Sequence, residues 1–229
     1  LQEFLGELGL TQNKHAVWEL LKQLGDELEQ LFVSYGYLHF QSLSNASVSL
    51  HSTLPDSWKQ EVSKIPDWSF KDYTRMHSVS KLTSFGHGNA FMDQYKAFMP
   101  VTPEFERIAQ EAEEKLGWKS GFHTPLRGER RGEFGGIVFA AGLDEQAFRE
   151  FVHIHGWTMS VASLNAHIVY LGHLKKEEAE AFALTNRQLE FLRLSAAGKE
   201  VKEIAHIWGV TDQAVTKVRR ALCERFGTS

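Results

Sequence analysis

Gln213, Thr216, Lys217 and Arg220 lie three and four residues apart in the stretch before Leu222, so on a helix they share one broad face. That set of side chains suits the edges of DNA base pairs. A guanidinium at Arg220 can bond bidentately to guanine, contributing roughly 1–3 kcal/mol of discrimination, and the Thr216 hydroxyl offers a shorter, less selective contact. Lys199, Lys202, Lys217 and Arg219 suit phosphate oxygens, which position a protein on the duplex without reading its sequence. Thr211 stands where a helix cap belongs, and the free amides behind it can also meet a phosphate. Glu224 and Arg225 read as solvated positions on the same helix.

No catalytic constellation competes with this one. His153 and His155 are two residues apart on an expected helix and point to different sides, which is poor spacing for a metal. Gly86-His87-Gly88 lacks the strand–turn–helix context of a phosphate loop. Asp144-Glu145 and Glu177-Glu178 read as a cap and a solvated pair, and Cys223 stands alone. The expectation is a protein that is not an enzyme and holds no metal.

Two helices must position the basic face. The first is expected over 201–208, Gly209-Val210 breaks it, and Thr211 starts the second. A helix, a glycine turn and a helix with a basic outer face form the helix-turn-helix layout for the major groove. Thr185 and Gln188 have the spacing of a capping box at the start of a preceding helix, and Gly198 fits that helix's left-handed end. Leu189, Leu192, Ile204, Ala205, Ile207, Val215 and Leu222 are the expected small core.

The rest of the chain has a different charge. Residues 184–229 carry eight Lys/Arg against five Asp/Glu, whereas the preceding residues carry 17 against 24. A basic head on an acidic body suits a polyanion-binding module joined to a non-binding one. With 42% hydrophobic and 24% charged residues, the 229-residue chain is typical of a soluble globular protein. No run approaches the ~18 apolar residues of a membrane span, so no membrane partner is expected. The chain begins at Leu1 without a signal-peptide pattern, and its single cysteine fits a reducing, cytoplasmic setting.

Periodicity supplies the elements of this body. Asn13 caps a helix expected to run to about residue 34, followed by strands at 35–43 and 48–54 and a short helix at 58–64. A helix at 70–79 and a glycine-containing loop at 81–89 come next. Pro103 opens a helix to 115, and strands are expected at 120–126 and 135–141. A long helix from 144 to 174 carries Phe148, Phe151, Val152, Trp157, Val161, Leu164, Ile168 and Leu171. The pattern is α+β: an N-terminal α-β-α sandwich with an antiparallel sheet over 1–174, a linker at 175–183, and a small all-α helix-turn-helix domain over 184–229.

Leu184-Thr185, Arg187, Glu190, Leu192, Ala197-Gly198, Glu203-Ile204-Ala205, Gly209-Val210, Val215 and Arg225-Phe226-Gly227 resemble the C-terminal module of the LuxR family of bacterial transcription factors. Residues 12–174 resemble, more weakly, the autoinducer-binding domain of quorum-sensing receptors. The resemblance implies a cavity for an acyl-homoserine lactone or another small signal molecule. In it Trp58 stands at the lactone-binding tryptophan, and Asp72, one residue further on than usual, at the amide-binding aspartate. Val62 occupies the usual tyrosine position and Tyr73 replaces a proline. Phe85 matches an aromatic wall, and Phe139 stands where a Ser or Thr often bonds the ligand. Two readings stay open. Trp58, Trp68, Asp72 and Tyr73 supply polar contacts to a different small molecule, or side chains fill the site and no ligand is bound.

The resemblance also implies double-stranded DNA as partner and a homodimer on a pseudo-palindromic site. Family members continue beyond the Phe-Gly with a further helix, so here pairing is expected to rest on the N-terminal domain. The alternative is an inhibitory protein that forms inactive heterodimers with a related LuxR-type regulator.

Overall fold

Asn13 caps the second helix of the chain by accepting a bond from the Ala16 amide, as its position predicts. The computed structural model describes residues 1–42, 45–63, 85–87, 103–128 and 133–226. Packing divides the chain into two compact units, Leu1–Leu171 and Gly172–Ser229.

The N-terminal unit begins with α1 (Gln2–Leu8) and α2 (Lys14–Glu27). The helix expected to reach residue 34 stops at Glu27, because Glu29 takes a left-handed φ of 53° and Phe32 already starts β1. From Val33 onward, burial alternates with a period of two, and the strand period overrides the apolar residues that prolong the helical pattern. The strands are β1 (Phe32–Ser42), β2 (Asn45–Ser52), β3 (Phe85–His87), β4 (Ser120–Arg127) and β5 (Phe134–Ala141). They form an antiparallel sheet in the order β2-β1-β5-β4-β3. β3 falls inside the loop expected at 81–89, where three residues are too few for a periodic signal. The helix expected at 70–79 and the remainder of that loop lie outside the described residues, except for Phe85–His87 itself.

Register sorts the sheet into two faces. Phe139 pairs with Val33 and with Phe122, whereas Val138 pairs with Ser34 and with His123. Val33, Tyr35, Phe122, Ile137 and Phe139 therefore share one face and are buried. α2 crosses that face so closely that a Cβ on Gly25 would overlap Val33. His123, Val138 and Gly136 share the other face, and any side chain at Gly136 would collide with the His123 imidazole.

α3 (Asp56–Ser63) and α4 (Pro103–Leu116) meet in a satellite core of Trp58, Ile108 and Ala112. Lys115 ties them together, bonding Glu61 and Glu111 at 2.9 Å each and sitting 5.8 Å above the Trp58 ring. α5 (Glu145–Ala181) continues past the expected end at residue 174, so residues 175–181, expected as linker, are helical. Its buried side is formed by Phe148, Met159, Ala162, Ser163, Ala166, His167 and Tyr170. Trp157, Leu164 and Ile168, which the helical pattern offered as core, face outward. On that side His167 and Tyr170 meet the Tyr35 and Tyr37 rings of β1, and the small Ala162, Ser163 and Ala166 are fully buried.

The C-terminal unit contains α6 (Asn186–Ala196), α7 (Val201–Trp208) and α8 (Asp212–Phe226). The Thr185–Gln188 capping box is formed, and Gly198 and Gly209 take the left-handed φ values of 79° and 64° that end α6 and α7. The core is Phe191, Ile204, Ala205, Val215 and Leu222, with Leu192, Trp208 and Val218 packed against it. Phe191 takes a central place that the sequence pattern passed over, and Ile207, expected inside, is 51% exposed. The fold is α+β with an antiparallel sheet, and among the described residues no helix is long and apolar enough to cross a membrane.

Candidate nucleic-acid interface

On α8, Val215 and Leu222 are buried and Val218 half-buried, so the inward stripe fixes which way the rest of the helix points. Gln213, Thr216, Lys217 and Arg220 are all exposed on the opposite side, as their spacing predicts. Thr211 caps the helix, its hydroxyl oxygen accepting from the Ala214 amide at 3.3 Å. The Thr216 hydroxyl donates to the Asp212 carbonyl at 2.8 Å.

Arg219 is not part of that face. It joins Lys199 and Lys202 on the rim of a groove of about 690 Å³ whose apolar lining includes Phe191, Leu222 and Phe226. Lys199 is held by Glu203 at 2.9 Å, and the Glu200 amide and Lys199 together keep the Glu203 carboxyl below its usual range. Lys202, Lys217, Arg219 and Arg220 have no ion-pair partner among the described residues. The unit therefore carries two neighbouring cationic zones, an outer helix face and a groove rim, with unneutralised charge in both.

Two other arginines are structural. Arg187 stacks its guanidinium 4.1 Å above the Trp208 ring. Arg225, read as solvated, donates from Nη1 to the carbonyls of Phe182 at 2.9 Å and Ala183 at 2.6 Å. These carbonyls lie just past the end of α5, where Ala183 adopts φ 48°, and Phe226 adds an edge-on ring contact to Phe182. The sequence gives no hint of this clasp, because donor and acceptors are more than forty residues apart.

The residues matched to a ligand cavity are spread over several elements. Trp58 is buried in the α3–α4 core, and Val62 lies one turn further along α3. Phe85 is in β3 and pairs in register with His123. Phe139 is fully buried on the face crossed by α2, so its ring is on the opposite side of the sheet from His123. Trp68, Asp72 and Tyr73 lie outside the described residues.

A buried row of rings between β1 and α5 was not anticipated. The Tyr35 hydroxyl is 3.1 Å from Nδ1 of His167, and His51 Nε2 is 2.9 Å from the Tyr170 hydroxyl. Tyr37 meets the His167 ring edge-on at 4.6 Å. Burial pushes His167 down to about 4, against the weaker upward pull of the Arg127 carbonyl and the Glu133 charge. The same burial raises the Tyr35 hydroxyl, so both groups stay neutral. The alternation Tyr35–Tyr37–His39 is the sequence trace of this row; its helix partners could not be assigned without the fold. Among the described residues no cluster of three or more His, Cys, Asp or Glu could hold a metal ion.

Comparison with known proteins places this geometry in context. The family model for the autoinducer binding domain matches residues 13–170. The transcriptional activator protein VanR of Vibrio anguillarum is 24% identical over 210 residues, covering 92% of this chain and 83% of VanR. The structure of SdiA, an Escherichia coli protein, in complex with octanoyl-rac-glycerol aligns with a TM-score of 0.58 at 14% identity, covering 100% of this chain and 88% of SdiA. CepR2 of Burkholderia cenocepacia, an N-acylhomoserine lactone dependent LuxR family transcription factor, aligns with a TM-score of 0.57 at 15% identity over 76% of this chain and 94% of CepR2. At these identities the two structures report a shared fold.

Proposed function

Because the chain belongs to the autoinducer-binding-domain family of LuxR-type quorum-sensing regulators, we propose that it is a cytoplasmic DNA-binding transcriptional regulator that works as a pair of identical chains. The observation that carries this reading is the outer face of α8, where Lys217 and Arg220 stand exposed, without ion pairs among the described residues, opposite buried Val215 and Leu222. In this reading α8 enters the major groove. Arg220, with Gln213 and Thr216, reads base edges, and Lys217 and the capped N-terminus at Thr211 hold the adjoining phosphate. Lys199, Lys202 and Arg219 reach flanking phosphates from the groove rim. No step in this activity is catalytic.

The N-terminal unit would be the regulatory half. SdiA has been solved in complex with octanoyl-rac-glycerol, an acyl chain on a head group that is not a lactone. Val62 also lacks the hydroxyl of the tyrosine that the family uses on the ligand amide, and a lost bond to a buried polar group costs about 1–3 kcal/mol. The preferred ligand is therefore an acylated molecule with a different head, or the unit folds without one.

The test is binding of the full chain to promoter fragments across a salt series. We expect log affinity to fall steeply with log salt, with a slope of about −4 to −8 for the cations of two α8 units. Arg220→Ala should cost roughly 10–100-fold on the preferred site and relax preference there, whereas Lys217→Ala should weaken all sequences alike. A purified dimer that binds no DNA at low salt would refute the proposal.

A further inference from the structure

The floor of the groove in the C-terminal unit has no use in the DNA-binding reading. Two helix stripes form its sides. Phe191 and Ser195 stand one turn apart on α6. Arg219, Leu222 and Phe226 follow one another on α8 at steps of three and four residues, so they too share a face. Val201, in the first turn of α7, completes the lining. Phe226 is 38% exposed, and Val201 and Cys223 are half-buried, so apolar surface lies open between the stripes. The charge around it is one-sided: Lys199, Lys202 and Arg219 line the groove against Glu200 alone.

We infer that this groove takes an acidic amphipathic helix of a partner protein, its apolar ridge lying between the α6 and α8 stripes and its carboxylates meeting Lys202 and Arg219. Duplex DNA fits the rim but not the floor, because its outer surface of phosphate and sugar is polar and leaves Phe226 and Val201 uncovered. A small acyl ligand fits less well than a helix. Sites for such ligands enclose most of the molecule, and this groove is a trough open to solvent. A ridge of side chains at i, i+3, i+4 and i+7 matches stripes of the same spacing. Charge then selects among helices. Lys202 and Arg219 have no ion-pair partner among the described residues, and Lys199 has Glu203, so the groove attracts carboxylates and repels lysines. The inference rests on the DNA-binding reading for one consequence. A bound acidic helix occupies the cations assigned to flanking phosphates, so partner and promoter compete.

Cys223 supplies a built-in readout, because it is the chain's single cysteine and lines the groove. The probe is a labelled synthetic helix with leucines at i, i+3, i+4 and i+7 flanked by glutamates. Added to the full chain without DNA, it is expected to bind with a Kd on the order of 10–100 μM by fluorescence anisotropy and to slow alkylation of Cys223 by about fivefold or more. Lys202→Glu with Arg219→Glu should weaken it roughly tenfold or more. Both side chains are exposed, so far-UV dichroism of that variant should match the parent. The same peptide with lysines in place of the glutamates tests the charge without altering the protein, and should bind at least about tenfold more weakly. Equal binding of the lysine peptide, equal binding of a glutamate peptide without the leucine ridge, or an unprotected Cys223 would each overturn the proposal. Protection of Cys223 by decanoate at lower concentration than by the peptide would overturn it in favour of a small anionic amphiphile. Arg220→Ala should weaken promoter binding and leave the peptide affinity unchanged, so the groove can stand where the DNA-binding reading fails, and the reverse.

Discussion

Arg220 and Arg225 are five residues apart on α8 and do different work. Arg220 is exposed on the outer face and has no ion pair among the described residues, whereas Arg225 is spent on the carbonyls of Phe182 and Ala183. Residue type and spacing sufficed for the first, because a helix face follows from 3.6 residues per turn. They could not find the second, because its partners are distant in sequence. His167 makes the same point inside the N-terminal unit, where its partner Tyr35 lies 132 residues away. With its folded value depressed to about 4, the folded state resists protonation that the unfolded chain accepts near 6.5. The stabilisation from neutral His167 is thus present above about pH 6.5 and is lost as pH falls towards 4, by on the order of 3 kcal/mol in all. His51, also depressed by burial, acts in the same direction. Melting temperatures measured from pH 7 to 4 should fall for the parent and fall less for His167→Gln. Equal slopes would show that His167 is not the titrating group.

At the scale of elements, local signals were legible and competing faces were not. Asn13, the Thr185–Gln188 box and Gly209 mark helix ends through contacts within three or four residues, and all three are formed. Gly209 sits at φ 64° with open space around it, so Gly209→Ala should cost about 1 kcal/mol through the backbone alone. Chemical denaturation of the full chain should register that loss in the transition of the C-terminal unit; an unchanged midpoint would mean that the turn tolerates a side chain. α5 shows the opposite situation. Phe148 and Met159 point inward while Trp157 and Ile168 point outward, so apolar residues lie on both sides and periodicity alone cannot choose the buried one. The contacts of His167 and Tyr170 with the Tyr35 and Tyr37 rings decide it. β3 escaped notice because a three-residue strand exists only through its pairing with β4.

For the whole molecule, the charge division read from composition agrees with the folding units: residues 1–171 are net acidic and residues 172–229 net basic. The proposed regulatory role gives the N-terminal unit its own test. Any ligand bound only by the folded state raises its apparent stability, by about 2.7 kcal/mol at a hundredfold excess over Kd. Protein expressed without added signal molecules should melt higher with 1-octanoyl-glycerol than with an octanoyl homoserine lactone. A larger shift with the lactone would show that Val62 does not impair recognition of that ligand, and no shift with either would favour a unit that folds unliganded.

The sequence by itself determined the α+β class, the cap positions, the outward direction of Gln213, Thr216, Lys217 and Arg220, and the LuxR-type resemblance that the family match bears out. Each of these depends on contacts within a turn or two, or on a motif read residue by residue. The tertiary structure alone decided that α5 turns Trp157 and Ile168 outward, that Phe139 and His123 lie on opposite faces of the sheet, and that Arg225 clasps the end of α5. These depend on strand register and on side-chain volumes brought together from distant parts of the chain, and neither quantity is written in any short window of sequence.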